Sequence, residues 1–274
     1  MTDQQKKKVQ KKLAWGFYVI LFLMMGSMVG LVSFRREVRY YIKSNFSRTR
    51  FLEASLAEQE KISRIEKKYQ QYTFGIDVSH YQGTIDWSRV KEAQQINVPI
   101  QYAFIRATMG GDKDANFRRN WRQIRKSSLL RGAYHYYRPD ENSLLQAESF
   151  IQQVQGFDKT KDLPPVLDIE ARPTVQSMDN LRKGLKRWLQ KVEQHYGVKP
   201  IIYTGDKFYN SHLKDYGFDQ YPLWIANYNY IDEPYAHSWS FWQFSEKGKV
   251  KGITEFVDLN VYKGPLESLR QLGK

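Results

Sequence analysis

Residues 163–170 read Leu-Pro-Pro-Val-Leu-Asp-Ile-Glu. The two prolines end any preceding helix, because proline has a fixed φ angle and lacks a backbone N–H. The apolar residues that follow predict a short buried strand. On a strand Asp168 and Glu170, at positions i and i+2, leave the same face. Burial of carboxylates is costly, so the pair indicates either a solvent-exposed strand end or a cleft that uses both acids.

Short apolar segments alternate with amphipathic or polar segments from Thr73 onward. Eight strands are predicted, at Thr73–Val78, Tyr102–Ala107, Gly132–Tyr136, Pro165–Ile169, Pro200–Thr204, Pro222–Ala226, Ser240–Phe244 and Phe256–Leu259. Helices are predicted at about 86–95, 116–128, 141–155 and 177–196. This alternation predicts an α/β fold, an irregular TIM-like (β/α) barrel over residues 73–274. After residue 205 the connections are too short for full helices, so the last third should have reduced helices.

A second, N-terminal region is predicted from hydropathy. Residues 13–34 contain no charged side chain, and this run of 22 residues is long enough for one transmembrane helix. Residues 1–12 form a basic tail, predicted to be cytoplasmic, and residues 35–72 a polar juxtamembrane stalk with short helical periodicity. A cleaved signal peptide is the alternative for the apolar run, although it is long for one and no small-x-small cleavage site follows it.

The composition limits the partners. The net charge is +14, but residues 1–50 alone hold 11 Lys and Arg against 2 Asp and Glu. The excess flanks the apolar run, which indicates a lipid bilayer rather than a nucleic acid as its partner. The chain has no cysteine, and its five histidines lack a ligand spacing, so neither a metal nor another cofactor is expected. The sequence does not indicate an oligomeric state, and it is compatible with a monomer.

The predicted strand ends carry the chemistry, since a β/α barrel places its functional residues there. The acids are Asp77, Asp168, Glu170 and Asp258. The polar and aromatic residues expected to bind substrate are Tyr134, Tyr136, Tyr203, Trp224, Asn227, Gln243 and Arg106. Paired carboxylates suit glycosidic cleavage, in which one acid protonates the leaving oxygen and another group stabilises the charge at the anomeric carbon. His135 follows Tyr134 and is expected near the same mouth.

Several motifs, in order, resemble the family 25 glycoside hydrolases. The first is Gly75-Ile-Asp-Val-Ser-His-Tyr-Gln-Gly83, with Ile85-Asp-Trp87 after it. The others are Tyr102-Ala-Phe-Ile-Arg-Ala-Thr108, Arg131-Gly-Ala-Tyr-His-Tyr-Tyr-Arg138, Asp168-Ile-Glu170, Ile202-Tyr-Thr-Gly205, Pro222-Leu-Trp-Ile-Ala226, Phe241-Trp-Gln-Phe-Ser245 and Gly252-Ile-x-x-x-Val-Asp-Leu-Asn260. The resemblance implies an N-acetylmuramidase, or lysozyme, that cleaves the β-1,4 bond between N-acetylmuramic acid and N-acetylglucosamine in peptidoglycan.

The resemblance also implies roles for the acids. Glu170 matches the general acid/base, and Asp168 matches the carboxylate that orients the substrate's 2-acetamido group. Asp77 and Asp258 match acids that support the site. Substrate-assisted retention is the favoured mechanism, with a direct carboxylate nucleophile or inversion as alternatives. Met109 stands where the family often has a glutamate.

The implied substrate gives a localisation. Peptidoglycan lies outside the cytoplasmic membrane, so the resemblance implies a single-pass membrane protein with its barrel on the outer face. Two other functions stay open at this point: a catalytically inactive, glycan-binding scaffold and a glycosidase for a different amino-sugar polymer.

Overall fold

The structure is a computed structural model that describes residues 55–91, 97–229, 233–234, 238–272 and 274. The predicted cytoplasmic tail, transmembrane helix and first part of the stalk lie outside these residues. Within the described part of the chain, no helix has the length and apolar character needed to cross a membrane.

An eight-stranded closed barrel forms the body of the chain. Its strands are β1 (Thr73–Val78), β2 (Ile100–Met109), β4 (Leu130–Tyr136), β5 (Val166–Asp168), β6 (Ile201–Gly205), β7 (Leu223–Ala226), β8 (Trp239–Gly248) and β9 (Val257–Tyr262). Each strand pairs with the next, and β1 pairs with both β2 and β9, which closes the ring. The short β3 (Asp112–Lys113) forms a hairpin with the end of β2. The predicted α/β barrel is confirmed.

The last strand runs against its neighbours. Pairings from β1 to β8 around the ring are parallel, whereas β9 is antiparallel to both β8 and β1. The physical reason is the short connection from Gly248 to Val257, because a parallel crossover needs about a dozen residues or more. Asp258 therefore lies at the start of β9, not at the end of a parallel strand, and this corrects the direction assumed from sequence.

Helices cover the outside of the first part of the barrel. They are α2 (Phe117–Gln123), α3 (Ser143–Gln153) and α4 (Met178–Tyr196). Helix α4 begins after the capping residue Ser177 and ends at Tyr196, before the capping residue Gly197, whose φ of 67° suits glycine. Residues 87–91 form turns, so the helix predicted from residue 86 does not begin there. Residues 92–96 of that prediction lie outside the described residues.

The last third has few helices, as predicted. Among the described residues after β6, the helices are the three-residue α5 (Asp206–Phe208), a π-helical turn at Tyr209–Leu213, and α6 (Leu266–Gln271). Inside the barrel, aromatic rings fill the space below the mouth, with Phe104 stacked on Trp224 at 4.7 Å between centroids. Gly75 makes room for this core, because a Cβ there would lie 2.4 Å from the Tyr102 ring. The filled interior leaves the mouth as the place for a ligand.

Residues 55–68 form one further helix, α1. From Glu58 onward it belongs to the same compact unit as the barrel. Ile62 and Ile65 are buried, and Tyr69 packs edge-on against Trp239 and Trp242. Helical structure was predicted for this part of the stalk, but residues 58–72 pack on the barrel rather than standing apart from it.

Candidate active site

A cleft of about 250 Å³ opens at the mouth of the barrel. It contains all four predicted acids and every predicted binding residue except Asn227. The complete lining is Asp77, Val78, Ser79, Tyr81, Gln82, Arg106, Tyr134, Tyr136, Asp168, Glu170, Tyr203, Trp224, Tyr228, Gln243, Glu246 and Asp258. All eight strands of the barrel, with the segments that follow some of them, therefore contribute residues to one site.

Asp77 at the end of β1 is held by two amides. Its Oδ2 accepts hydrogen bonds from Nε2 of Gln243 and Nδ2 of Asn260, both at 2.8 Å. Burial raises the pKa of Asp77, and these two donors offset part of the rise. Burial also raises the pKa of its neighbour Asp258, and the charge of Asp77 raises it further. The arrangement favours an ionised Asp77 beside a protonated Asp258.

Asp168 ends β5, and Glu170 follows two residues later. Asp168 is buried, whereas Glu170 is exposed within the cleft. Burial raises the pKa of Asp168 well above its usual range, and the charges of Glu170 and Asp77 add to the rise. Desolvation likewise raises the pKa of Glu170. Both pKa values are raised, so the two adjacent acids retain a proton to higher pH than free carboxyls do, which favours acid catalysis.

Arg106 is the one basic residue among the described residues that line the cleft. Its Nε donates to Oδ2 of Asp114 at 3.1 Å, and its guanidinium also contacts Nδ1 of His80. The positive charge of Arg106 lowers the pKa of Asp168, against the larger effect of burial. Arg106 therefore favours the ionised form of the carboxylate that the resemblance assigns to substrate orientation.

Aromatic side chains form the walls. The Tyr203 hydroxyl donates to Oε1 of Gln243 at 2.7 Å, and the Tyr228 hydroxyl contacts the same oxygen. Nε1 of Trp224 donates to Oδ1 of Asn260 at 2.9 Å. These contacts join the aromatic rings to the two amides that hold Asp77, so walls and acids form one hydrogen-bonded unit. A rigid cleft with aromatic faces and paired acids can bind a sugar and cleave its glycosidic bond.

Comparison with known proteins agrees with this geometry. The model of glycosyl hydrolases family 25 matches residues 76–253. The chain belongs to this family. It is 44% identical over 199 residues to YegX of Escherichia coli O6:H1, an uncharacterized protein, with 72% of this chain and 71% of YegX covered. It is 32% identical over 213 residues to Lysozyme M1 of Streptomyces globisporus, with 73% and 70% covered.

A solved structure supports the same assignment. A family 25 glycosyl hydrolase from Bacillus anthracis superposes with a TM-score of 0.66 at 32% identity, and the match covers 75% of this chain and 95% of that one. This family 25 protein is therefore a glycoside hydrolase of the lysozyme, or N-acetylmuramidase, type.

Asn227 is the predicted binding residue that the cleft of this family 25 enzyme does not include. Its Nδ2 donates to Oδ2 of Asp206 at 2.9 Å, and its Oδ1 accepts from the backbone N–H of Asn229 at 3.0 Å. Its backbone oxygen accepts from Nε1 of Trp242. Asn227 comes directly after β7, but its side chain is used to fix the following loop.

His135 also differs from expectation. Strand β4 alternates its faces, so Tyr134 and Tyr136 line the cleft while His135 points outward. Its Nδ1 lies 2.7 Å from Oγ1 of Thr108, and its ring stacks on Trp188. Burial lowers the pKa of His135 to about 3, so it is neutral and structural.

Sequence reasoning missed three notable cleft residues. Tyr81 lies in a short 3₁₀ helix after β1. It is part of the first motif of the family resemblance, but the resemblance implied no role for it. Tyr228 follows β7, and Glu246 lies on β8, which extends beyond its predicted end at Phe244. Strict alternation from Gln243 would place Glu246 on the opposite face of β8, but the pairing with β9 shifts register on both sides of Ser245, so the sequence pattern held no signal for Glu246.

Neither a metal cluster nor a second cavity of the described residues adds a candidate site. Within the described residues, no group of three or more His, Asp or Glu is arranged to hold a metal ion. A larger cavity of about 430 Å³ lies near the start of β4 and includes Arg131 and Asp162. There Nε of Arg131 bonds Oδ1 of Asp162 at 2.8 Å, which identifies a structural ion pair. This cavity contains none of the predicted site residues.

Proposed function

We propose that this enzyme hydrolyses peptidoglycan at the β-1,4 bond between N-acetylmuramic acid and N-acetylglucosamine. The observation that carries the proposal is the placement of Asp168 and Glu170 in one aromatic cleft. The membership of family 25 and the likeness to Lysozyme M1 support the same substrate. Tyr134, Tyr136, Tyr203 and Trp224 offer apolar ring faces, and Arg106 and Gln243 offer donors, to the sugar hydroxyl and acetamido groups.

Glu170 is the proposed general acid and base. Burial raises its pKa, so Glu170 keeps its proton to higher pH than a free carboxyl, and its exposure within the cleft gives access to a glycosidic oxygen. Glu170 transfers its proton to the leaving oxygen as the bond from that oxygen to the anomeric carbon breaks. The ionised Glu170 then takes a proton from the water that attacks the same carbon in the second step.

Asp168 is proposed to orient the substrate's acetamido group. Its Oδ1 is buried and has no hydrogen-bond partner among the described residues. A carboxylate oxygen in this position can accept the acetamido N–H, so the acetamido oxygen is directed at the anomeric carbon. The acetamido oxygen bonds to the anomeric carbon as the leaving group departs, and the negative charge of Asp168 stabilises the resulting oxazolinium ion. When water attacks that carbon in the second step, the bond to the acetamido oxygen breaks and the acetamido group is restored. Asp77 and Asp258 hold the surrounding donors in place.

The proposed location is the outer face of the cytoplasmic membrane, with an N-terminal anchor. The uncharged run at 13–34 supports the anchor, and the extracytoplasmic position of peptidoglycan supports the outer face; basic residues flank the run on both sides, so charge does not set the orientation. A protease-accessibility assay on intact spheroplasts tests it. Digestion of the barrel without lysis supports the outer face, whereas protection until lysis contradicts it.

Product analysis tests the reaction. The full chain, in detergent, is incubated with purified peptidoglycan, and the reducing-end sugar of the fragments is identified by mass spectrometry. N-acetylmuramic acid at the reducing end supports the proposal, and a different reducing-end sugar means another glycosidase. Binding without released fragments would instead favour the glycan-binding scaffold. Glu170→Gln is the matched control, because it should bind the wall and release nothing.

A further inference from the structure

Tyr81 is an exposed aromatic residue at the wall of the cleft. It lines the cleft, yet 70% of its surface is accessible, the largest exposed fraction of any described aromatic residue on the cleft wall. Among the described residues, none of the acids of the cleft forms a hydrogen bond with the Tyr81 hydroxyl. The reaction steps proposed above do not use this hydroxyl either. An exposed aromatic face in a sugar-cleaving site is a candidate for direct contact with substrate.

The backbone that carries Tyr81 is firmly held. Tyr81 is the middle residue of the 3₁₀ helix His80–Gln82, which has a complete capping box. The Ser79 backbone N–H donates to Oε1 of Gln82 at 2.8 Å, and the Tyr81 N–H donates to Oγ of Ser79 at 3.3 Å. Nε2 of Gln82 donates to the backbone oxygen of Phe256 at 3.0 Å, which ties the helix to the segment before β9.

The ring itself is supported by two neighbours. The His80 ring lies 4.2 Å from the Tyr81 ring, and the Arg106 guanidinium lies 5.3 Å from its centroid. Both neighbours are anchored by the buried carboxylate of Asp114, which accepts from Nε of Arg106 and from the backbone N–H of His80. The ring is thus positioned before any ligand arrives, which lowers the entropic cost of binding.

We propose that Tyr81 is a stacking platform for one pyranose ring of the glycan strand, next to the sugar held by the acids. The apolar C–H face of the sugar covers the exposed ring and removes it from water. This subsite rests on the glycan substrate proposed above. It contributes to binding of the strand rather than to bond cleavage, so its loss affects affinity more than the rate of the bound complex.

Binding in a non-cleaving background tests the platform. The affinity of a soluble peptidoglycan tetrasaccharide is measured by calorimetry for the full chain carrying Glu170→Gln, with and without Tyr81→Ala. Loss of an aromatic stacking contact of about 1 kcal/mol weakens binding by roughly fivefold. Tyr81→Phe keeps the ring and should bind within about twofold of the parent.

Tyr216→Ala is the matched control. Tyr216 is also an exposed tyrosine, 47% accessible, that lies under a guanidinium, here that of Arg182 at 3.5 Å. It lies outside the cleft, so its removal should leave the affinity unchanged. Thermal unfolding of each variant checks the fold.

The outcomes separate this inference from the proposed function. Unchanged affinity in Tyr81→Ala overturns the platform, even if the wild-type enzyme cleaves peptidoglycan. Equal loss in the Phe and Ala variants assigns the effect to the hydroxyl and also overturns stacking. Absence of any tetrasaccharide binding and of wild-type cleavage rejects both the substrate and the platform.

Discussion

Asp258 on β9 lies directly opposite Asp77 on β1 in the antiparallel ladder that closes the barrel. Asp77 accepts two amide hydrogen bonds, and the pKa of Asp258 is raised by burial and by the charge of Asp77. The two acids therefore differ in role: Asp77 holds the negative charge, and Asp258 holds a proton.

This difference predicts unequal effects of amide substitution. Asp77→Asn removes the charge that Gln243 and Asn260 bond, so we expect kcat/KM to fall by at least about tenfold, the loss of 1.4 kcal/mol or more that a charged hydrogen bond represents. Asp258→Asn keeps a neutral donor and should cost less. Kinetics on purified peptidoglycan measure both variants, and a larger loss in Asp258→Asn would contradict the assignment.

Removal of the Glu246 charge is expected to shift the pH profile of kcat/KM. Its charge raises the pKa of Glu170, together with desolvation and Asp77. Glu170 must be protonated to act as an acid, so activity falls as pH rises through its pKa. In Glu246→Gln the pKa of Glu170 is lower, and the alkaline limb of kcat/KM should move to lower pH. Glu255→Gln, an exposed acid outside the cleft, is the control. An alkaline limb that stays in place would show that Glu246 does not act on Glu170.

Asp168 is expected to be required for activity and, at neutral pH, to lower the stability of the fold. Its pKa is raised in the folded state, so the unfolded chain loses this proton first as pH rises. The carboxyl therefore supports the fold below its unfolded pKa and opposes it progressively above. Asp168→Asn should abolish wall lysis but raise Tm at pH 7 by about 2–4 °C, the shift that 1 kcal/mol produces in a domain of this size.

Calorimetry at pH 7 and at pH 4 measures the effect. The gain in Tm should shrink at the lower pH, because the unfolded chain also binds a proton at part of its Asp168 carboxyls there and the difference in protonation between the two states is smaller. Asp219→Asn is an exposed control. A lower Tm for Asp168→Asn at pH 7 would be the contrary result.

Helix α1 predicts that the N-terminal segment contributes to barrel stability. Ile62 is fully buried, so Ile62→Ala in the full chain should cost about 2–5 kcal/mol of unfolding free energy. Leu56 lies on the same helix but is 60% exposed, and Leu56→Ala should be nearly neutral. Urea unfolding compares the two variants, and equal midpoints would mean that α1 does not stabilise the barrel.

Much of the barrel could be predicted because its strands are local patterns. The apolar runs from Thr73 to Ala226 each match a strand to within a few residues, since burial on both faces of a parallel strand demands continuous apolar sequence. The direction of β9 was not predictable from its own residues, because the same apolar sequence is compatible with parallel and with antiparallel pairing. The packing of α1 was also missed, since its polar face resembles that of an isolated helix.

By itself the sequence determined the strand spacing and the chemical identity of the acids, because burial and catalysis each require particular side chains at particular positions. Only the tertiary structure decided which acid keeps a proton, which of two neighbouring side chains faces the cleft, and that Asp258 enters from an antiparallel strand. Those outcomes depend on desolvation, charge and hydrogen bonds between residues distant in the chain, and closure of the barrel is what creates them.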